Sequence, residues 1–334
     1  MERFNRILCV VTTPESSKVA LDRAVTLAEN NQAGLTAVAV ARYVSVGMGM
    51  PDGGPISADL QAAMVSDCAQ KLESAVAPYL SRVEIKTKVL VGVQFTEIIR
   101  EVLRNQHDLL VKPCESLEWL DQIFGSEDMH LLRKCPCPVW LIKPAVPKKY
   151  RCILAAVDVS DSYPELELKS RGLLNEHIVE LATSMALADF SELHIVHAWE
   201  AIGESELRGS FMHLSEEKVT AYVEEVRRKR EANLEKLMLK VTGDLGHEAL
   251  DYLKPKVHMV KGWERKVIPA LAKQVGADLV VMGTVSRTGV PGLIMGNTAE
   301  SILNQLECSV LAIKPVDFVS PVKCGEPDST QFNE

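Results

Sequence analysis

Short runs of apolar, mostly β-branched residues alternate along the chain with longer segments in which apolar positions recur at helical spacing. The short runs predict strands at residues 6–12, 35–41, 84–91, 108–112 and 138–143, and again at 152–158, 192–198, 256–261, 278–282 and 309–314. Apolar helix faces are predicted between them, at Ile98, Ile99, Val102 and Leu103, and at Ile178, Leu181, Met185 and Leu187. Nearly continuous apolar strands that alternate with helices are typical of parallel sheets covered on both faces.

The pattern occurs twice, and the sequence itself repeats with it. The segment Arg-Ile-Leu-Cys-Val-Val at 6–11 returns as Cys-Ile-Leu-Ala-Ala-Val at 152–157. A Gly-polar pair followed by a strand that ends in Ile-Lys-Pro also occurs in both halves. The separation is 171 positions both from Gly125 to Gly296 and from Lys143 to Lys314. A constant offset over this length indicates a tandem duplication.

The duplication predicts two tandem Rossmann-like α/β domains, each a five-stranded, parallel, doubly wound sheet with right-handed crossovers. We expect the first domain at 1–147 and the second at 148–318, joined by a stiff connector rich in proline and lysine around 143–150. The helical periodicity is lost after Pro315, so a partly ordered tail is expected at 319–334.

Charge and composition narrow the class of protein. The formal net charge is −8, which argues against direct binding to nucleic acid or to an anionic membrane surface. Neither a secretory segment nor an apolar run of the roughly 18 residues that a membrane-spanning helix needs is visible. We therefore expect a cytoplasmic protein without membrane insertion, whose cysteines are reduced.

Two further features have a structural and a functional interpretation. Cys135 and Cys137 are the only close cysteine pair, and they form either a metal or redox site or simply the entry to the strand at 138–143. No second pair follows at metal-ligand spacing, so no metal site is expected. Oppositely charged residues at helical spacing over 224–231 indicate a solvated helix face with i,i+4 pairs rather than a binding surface.

The second copy places candidate binding residues at the carboxyl ends of its strands, where open parallel sheets bind ligands. The strand 152–158 ends at Asp158, and the strand 278–282 leads into the glycine-rich segment 283–298. Glycines allow backbone N–H groups to approach a ligand closely. A helix is predicted to begin after Gly296, and helix N-termini favour phosphate oxygens.

Asp158, the loop that opens at Gly283, and Gly296 before a helix resemble the universal stress protein family, and the duplication extends this resemblance over about residues 4–315. The order of these features and the Ile-Lys-Pro endings resemble the tandem E-type members of proteobacteria. It implies an adenine nucleotide alpha hydrolase-like fold and a second domain that binds ATP, ADP or AMP. In the nucleotide-binding branch, a Gly-x2-Gly-x9-Gly-Ser/Thr loop holds the phosphates and the aspartate contacts adenine. The resemblance implies ligand contacts at Val157, Asp158, Met282, Gly283, Thr284, Ser286, Gly289, Gly296, Asn297 and Thr298.

The second copy departs from that pattern at two positions. Ser286 replaces the second glycine, and a serine forced to positive φ costs about 1–2 kcal/mol. Asn297 replaces the final Ser or Thr, and with Glu300 it also fits a helix N-cap of purely structural role. Asp158 has a structural alternative as well, as a turn residue that caps the next segment.

The first copy departs further, and we expect it not to bind a nucleotide. Thr12 stands in the aspartate position, while Pro113 replaces the first glycine and lacks a backbone N–H. The first copy nevertheless keeps the terminal Gly125-Ser126 pair. A separate glycine-rich stretch at 47–55 is interpreted as a flexible loop after a strand.

Three functions stay open. The first is a regulatory stress protein without catalytic turnover, whose second domain binds an adenine nucleotide or another small ligand. The second is a scaffold that docks a regulatory protein partner, and the least favoured is a nucleotide-hydrolysing enzyme, because no known nucleophile or phosphate-loop motif is found. By resemblance, the strands that end at Lys143 and Lys314 are expected to pair, either within a monomeric chain as an internal pseudo-dimer or in a homodimer.

Overall fold

The computed structural model describes residues 4–44, 55–114, 125–143, 149–209, 214–245, 252–284 and 295–324. The elements of the first repeat are β1 (Arg6–Val10), α1 (Pro14–Asn31), β2 (Gly34–Ala41), α2 (Pro55–Val76), a 3-10 turn (Ala77–Tyr79), β3 (Ile85–Val91), α3 (Gln94–Asn105), β4 (Leu109–Pro113), α4 (Ser126–Lys134) and β5 (Val139–Ile142). Those of the second are β6 (Cys152–Ala156), α5 (Glu165–Asp189), β7 (Glu192–Trp199), α6 (Glu204–Arg208), α7 (Glu216–Leu245), β8 (Lys256–Lys261), α8 (Glu264–Val275), β9 (Leu279–Gly283), α9 (Asn297–Leu303) and β10 (Ser309–Ile313).

The strands form one sheet of ten, in the order β3-β2-β1-β4-β5-β10-β9-β6-β7-β8. All neighbours within each repeat are parallel, which confirms the predicted doubly wound α/β architecture. The two repeats meet at β5 and β10, which pair antiparallel with Trp140 opposite Leu311. The final strands of the two copies therefore pair within the chain, and two five-stranded halves make a continuous sheet.

Helices cover both faces of this sheet. One buried cluster packs α1, α2, α5 and α7 against one face, and a second packs α3, α4, α8 and α9 against the other. Each cluster contains side chains from both repeats. The central strands β4, β5, β6 and β10 are buried along their whole length, as their continuous apolar runs predict.

A compact polar contact joins the repeats beside the β5–β10 pair. Arg23 on α1 forms an ion pair with Asp189 at the end of α5, at 2.9 Å between Nη1 and Oδ2. The same guanidinium carbon lies 3.5 Å from the ring centroid of Tyr150, whose hydroxyl accepts a hydrogen bond from Trp140 at 3.1 Å. The backbone N–H of Tyr150 also donates to Asp189 at 2.7 Å. The connector is thus fixed between the repeats at its second end.

The long charged helix forms as predicted, with one exception. Arg227 pairs with Glu224 and Glu231 on the outer face of α7, at i,i+3 and i,i+4 spacing. Arg230, in contrast, is only 8% exposed and is bonded to Asp161 and Ser162 in the loop after β6. The charged face of α7, which the sequence predicted to be solvated, is therefore exposed to solvent only in part.

Several expectations concern the ends and loops. Cys135 and Cys137 are buried between α4 and β5, with 3.6 Å between their sulfur atoms, as residues at a strand entry would be. The described residues contain no group of three or more His, Cys, Asp or Glu side chains arranged to hold a metal ion. No helix in the described ranges is long and apolar enough to cross a membrane. The stretch 47–54, the centre of the connector at 144–148 and the tail at 325–334 lie outside the described residues.

Candidate functional site

A cavity of about 180 Å³ lies at the carboxyl ends of β6 and β9 in the second repeat. Helix α5 borders it on one side of the sheet, and helices α8 and α9 border it on the other. It brings together residues from positions far apart in the chain. Its lining comprises Ala156, Val157, Asp158, Tyr163, Arg171, Leu174, Asn175, Ile178, Ala198, Glu264, Ile268, Met282, Gly283, Thr284, Gly296, Thr298, Ala299 and Ile302.

Asp158 is held in this cavity through both its backbone and its side chain. Its N–H donates to the Asn175 side-chain oxygen at 3.0 Å, and its carbonyl accepts from the Asn175 amide at 2.7 Å. Its Oδ2 accepts from the Tyr163 hydroxyl at 2.8 Å and from the Arg171 guanidinium at 3.0 Å. Its Oδ1 accepts one backbone N–H, that of Ser160, at 3.1 Å. Asp158 therefore forms the predicted turn with Ser160 and also lines the cavity, while a ligand contact at Asp158 stays a prediction.

Arg171 and Tyr163 form a unit with Asp158. The guanidinium carbon of Arg171 lies 3.5 Å from the centroid of the Tyr163 ring, within cation–π distance. Burial and the adjacent Asp158 carboxylate raise the pKa of Tyr163 to about 12, so its hydroxyl stays protonated and donates at neutral pH. Among the described lining residues, Arg171 is the only Lys or Arg side chain.

A second carboxyl group borders the same space. Partial burial at the cavity wall, together with the nearby Asp158 carboxylate, raises the pKa of Glu264 above its ordinary value. The side of the cavity near β6 therefore combines two acids, one guanidinium and one phenol.

The other side of the cavity is formed by the two ends of the glycine-rich segment. Gly283 ends β9, and a Cβ atom there would lie 2.8 Å from Cδ2 of Leu174 on α5, so its small size permits close approach of α5. The N–H of Gly296 donates to the carbonyl of Thr284 at 3.2 Å, which brings the two ends of the segment together. Met282, Thr284, Gly296 and Thr298 all line the cavity, and so does Val157, which lies beside Asp158 directly after β6.

The start of α9 differs from the expectation. Gly296 is the N-cap, with φ −62°, and Asn297 is the first helical residue, without a side-chain capping bond. Glu300, the predicted second half of a capping box, is bonded instead to Arg133 on α4 of the first repeat. The capping interpretation of Asn297 is therefore wrong, because the helix begins one residue earlier than a cap at Asn297 requires and Gly296 occupies the N-cap position. Asn297 itself is exposed and lies next to the cavity residues Gly296 and Thr298.

Two of the predicted contact residues, Ser286 and Gly289, lie outside the described residues. Conversely, the sequence reasoning missed Tyr163, Arg171, Asn175 and Glu264. Arg171 and Asn175 carried a usable signal, because they are one helical turn apart on α5 and precede the buried Ile178. Tyr163 and Glu264 belong to no motif and are recognisable only once the loops are folded.

The corresponding place in the first repeat is built differently. Lys112, the fourth residue of β4, and Asp128 on α4 form an ion pair with both side chains fully buried. Pro113 ends β4 where Gly283 ends β9, and Thr12 bonds Ser16 and Ser17 at the start of α1. The positions of Lys112 and Asp128 in the first repeat correspond to those of Met282 and Ala299 in the second. The first pair forms a buried ion pair, whereas the second pair lines the cavity.

The chain is similar in sequence to a known protein family and to several of its members. A family model described as "Universal stress protein family" matches residues 3–143 and 173–314. The "Universal stress protein E homolog" of Haemophilus influenzae is 31% identical over 321 residues, covering 94% of this chain and 98% of that protein. The "Universal stress protein E" of Escherichia coli K12 is 32% identical over 235 residues, covering 70% of this chain and 69% of that protein.

Solved structures share the two-repeat architecture. The functionally unknown protein PA1789 from Pseudomonas aeruginosa PAO1 is 26% identical, with a TM-score of 0.64 and coverage of 94% of each chain. A universal stress protein from Archaeoglobus fulgidus DSM 4304 shows the same fold at 18% identity, with a TM-score of 0.61 over 94% of this chain and 99% of that one.

Proposed function

The chain belongs to the universal stress protein family, and we propose that it is a cytoplasmic regulator of the stress response whose second domain binds an adenine nucleotide without turning it over. The stress-response role follows from the family. The ligand, the absence of turnover and the location in the cell are the proposed parts. ATP, ADP and AMP are the candidate ligands.

The observation that carries the proposal is the cavity at the ends of β6 and β9. It gathers Asp158, Gly283, Gly296 and Thr298 around one space, although they are far apart in the sequence. Oδ1 of Asp158 accepts a single hydrogen bond from the described residues, so it has capacity for an amino group of a base. Glycine backbone and a threonine hydroxyl on the opposite side suit a phosphate ester. The arrangement therefore matches the two chemically different ends of a nucleotide.

A binding role is supported over hydrolysis by the state of Asp158. Its Oδ2 already accepts bonds from Tyr163 and Arg171, an arrangement that holds the carboxylate in one orientation. A general base for hydrolysis has to lie beside the water that attacks a phosphate, whereas the resemblance to the family assigns this aspartate to the base of the nucleotide. Asp158 is better placed to recognise a ligand than to activate water.

The test is to look for nucleotide in protein purified without added ligand, by heat release and mass spectrometry. Titration calorimetry with AMP, ADP and ATP then gives affinity and stoichiometry. We expect about one nucleotide per chain and at least tenfold weaker binding for Asp158→Ala. Thr12→Ala, the matched change in the first repeat, should bind like wild type.

Two outcomes contradict the proposal. Absence of any bound or titratable adenine nucleotide removes the ligand and favours the scaffold that docks a protein partner. Release of phosphate from ATP, lost in Asp158→Ala, would show an enzyme instead of a binding protein.

A further inference from the structure

Lys314, the residue after β10, is buried at the junction of the two repeats, with 4% of its surface exposed. Its ammonium donates hydrogen bonds to the backbone carbonyl of Leu132 on α4 and to the hydroxyl of Thr284. The first acceptor belongs to the first repeat and the second lines the cavity of the second repeat. One side chain therefore connects the candidate ligand site with the neighbouring domain.

The connection reaches the base of the glycine-rich segment. Thr284 donates its N–H to Ile313 at 3.3 Å, and its carbonyl accepts from Gly296 at 3.2 Å. Its hydroxyl also lies 3.4 Å from the carbonyl of Leu132. Thr284 thus joins both ends of the segment to β10 and, through Lys314, to the first repeat.

The acceptor on α4 is one that needs a partner. Leu132 is one of the last four residues of α4. The carbonyls of these residues lack a backbone N–H partner within the helix. A lysine ammonium near a helix C-terminus satisfies such a carbonyl and interacts favourably with the helix dipole. The end of α4 is thus a good anchor for a cation from outside the first repeat.

The surroundings of Lys314 also disfavour its charged form. Within the parts of the chain that the structure describes, no Asp or Glu forms an ion pair with it. The titratable groups that face it are the thiols of Cys135 and Cys137, from the turn between α4 and β5. On its other side the ring of Phe318 lies 5.4 Å from Nζ. Burial lowers the pKa of Lys314 to about 7.

The duplication provides an internal control. Lys143 occupies the same place in the Ile-Lys-Pro ending of the first repeat, yet its Nζ bonds the carbonyl of Glu307 and remains partly exposed. Its Nζ forms no hydrogen bond or ion pair with a cavity residue in the described part of the chain. The two equivalent lysines therefore differ in burial and in what they hold.

We propose that Lys314 is a positioning residue that ties Thr284, in the wall of the candidate cavity, to the first domain, so that the first domain takes part in ligand binding at the second. This inference rests on the proposed nucleotide site. An anionic phosphate bound beside Thr284 and Gly296 stabilises the ammonium form of Lys314. Binding near neutral pH is then coupled to uptake of a proton, and affinity decreases as pH rises.

The experiment measures AMP binding by calorimetry between pH 6 and pH 8.5 for wild type, Lys314→Met and Lys143→Met. Repeating each titration in two buffers of different ionisation enthalpy counts the protons taken up. All three proteins are compared by how much their affinity for AMP falls from pH 6 to pH 8.5. We expect this fall to be about three- to tenfold larger in wild type and in Lys143→Met than in Lys314→Met. Lys314→Met should bind several-fold more weakly at pH 6 and take up fewer protons. Because AMP is the same in all titrations, its own phosphate ionisation cancels.

Lys314→Gln covers the case in which Lys314→Met does not fold. Its amide still donates to Leu132 but does not titrate, so binding should persist without the additional pH dependence. If a folded Lys314 variant keeps the wild-type affinity and proton uptake, the tie is overturned and the nucleotide site stands. If wild type binds no adenine nucleotide, both the proposed function and this inference fall.

Discussion

Lys112 and Asp128 form a fully buried ion pair in the first domain, with 2.7 Å between Nζ and Oδ1. Their counterparts in the second domain, by position on the strand and helix, are Met282 and Ala299, which line the candidate ligand cavity. Lys112 also donates to the carbonyl of Pro113 at 3.2 Å. The same place in the two repeats thus holds an ion pair in one and borders open space in the other.

Breaking this pair on one side should be costly. Asp128→Ala leaves the Lys112 charge buried without its carboxylate, which typically costs about 3–5 kcal/mol in the free energy of unfolding. The double variant Lys112→Met with Asp128→Ala introduces the residues of the second domain and should recover most of that loss. Urea denaturation of the two single variants and the double variant measures the coupling. Additive losses would show that the pair does not act as a unit.

Adding a side chain at Gly283 should strain the packing of α5. The new Cβ would lie 2.8 Å from Cδ2 of Leu174, closer than carbon atoms approach without movement. We expect Gly283→Ala to destabilise the protein by about 1–3 kcal/mol. Combining it with Leu174→Ala should cost less than the sum of the two single changes, because the second removes the clashing methyl group. Thermal and chemical denaturation check this cycle, and simple additivity contradicts the contact.

Removing Arg171 should weaken recognition of the base. In Arg171→Met, Asp158 loses the donor that holds Oδ2 at 3.0 Å and is less well oriented. We expect about tenfold weaker binding of AMP, with a smaller effect on the analogue that lacks the 6-amino group. Lys169→Met removes one positive charge from an exposed position of the same helix and serves as the control. Equal losses for both ligands would mean that Arg171 acts on the phosphate or on the fold.

The burial of Lys314 should appear in the pH dependence of stability. The pKa of this lysine is about 7 in the folded chain, against about 10.4 for an unperturbed lysine in the unfolded chain. Between these values the unfolded state binds one more proton, so the free energy of unfolding rises with pH, by at most about 1.4 kcal/mol per pH unit. Urea denaturation from pH 7 to pH 9 should show a steeper rise for wild type than for Lys314→Met. Parallel curves would contradict a depressed lysine pKa.

Pairing of β5 with β10 within the chain predicts a monomer in solution. The strands that by resemblance pair the two domains are already joined here, with Val139 to Leu141 opposite Val310 to Ala312. Size-exclusion chromatography with light scattering should give the mass of one chain over a wide concentration range. A stable dimer mass would point to another association surface.

The sequence located the strands well, because their short, mostly apolar runs stand out from the longer helical segments between them. The run predicted at 192–198, for example, is the strand Glu192–Trp199. The pairing of β5 with β10 within one chain could not be predicted from the apolar pattern. An edge strand such as β5 can pair equally well with a strand of its own chain or of another chain. The domain boundaries at 147 and 318 stay a prediction.

The candidate site was predictable only in part. Asp158, Gly283 and Gly296 follow from strand ends and glycine spacing, and the structure brings them to one cavity. Tyr163 and Arg171 reach Asp158 from five and thirteen positions farther along the chain, and no local pattern encodes these two contacts. The cap predicted at Asn297 was wrong because the helix starts one residue earlier, with Gly296 as N-cap, and Glu300 bonds Arg133 of the other repeat, a contact that no local pattern encodes.

One chain contains both the cavity of the second repeat and the ion pair that takes its place in the first repeat. The number of ligand molecules that can bind per chain at these two equivalent positions is therefore limited to one. A symmetric pair of identical domains presents two equivalent sites, and occupancy of one can alter the other. Here the β5–β10 pair permanently couples the cavity at Asp158 to a counterpart occupied by Lys112 and Asp128. A ligand that uses this cavity is therefore expected to bind each chain along a simple hyperbolic curve. Such a chain reports ligand concentration as a graded, saturating signal rather than as a threshold.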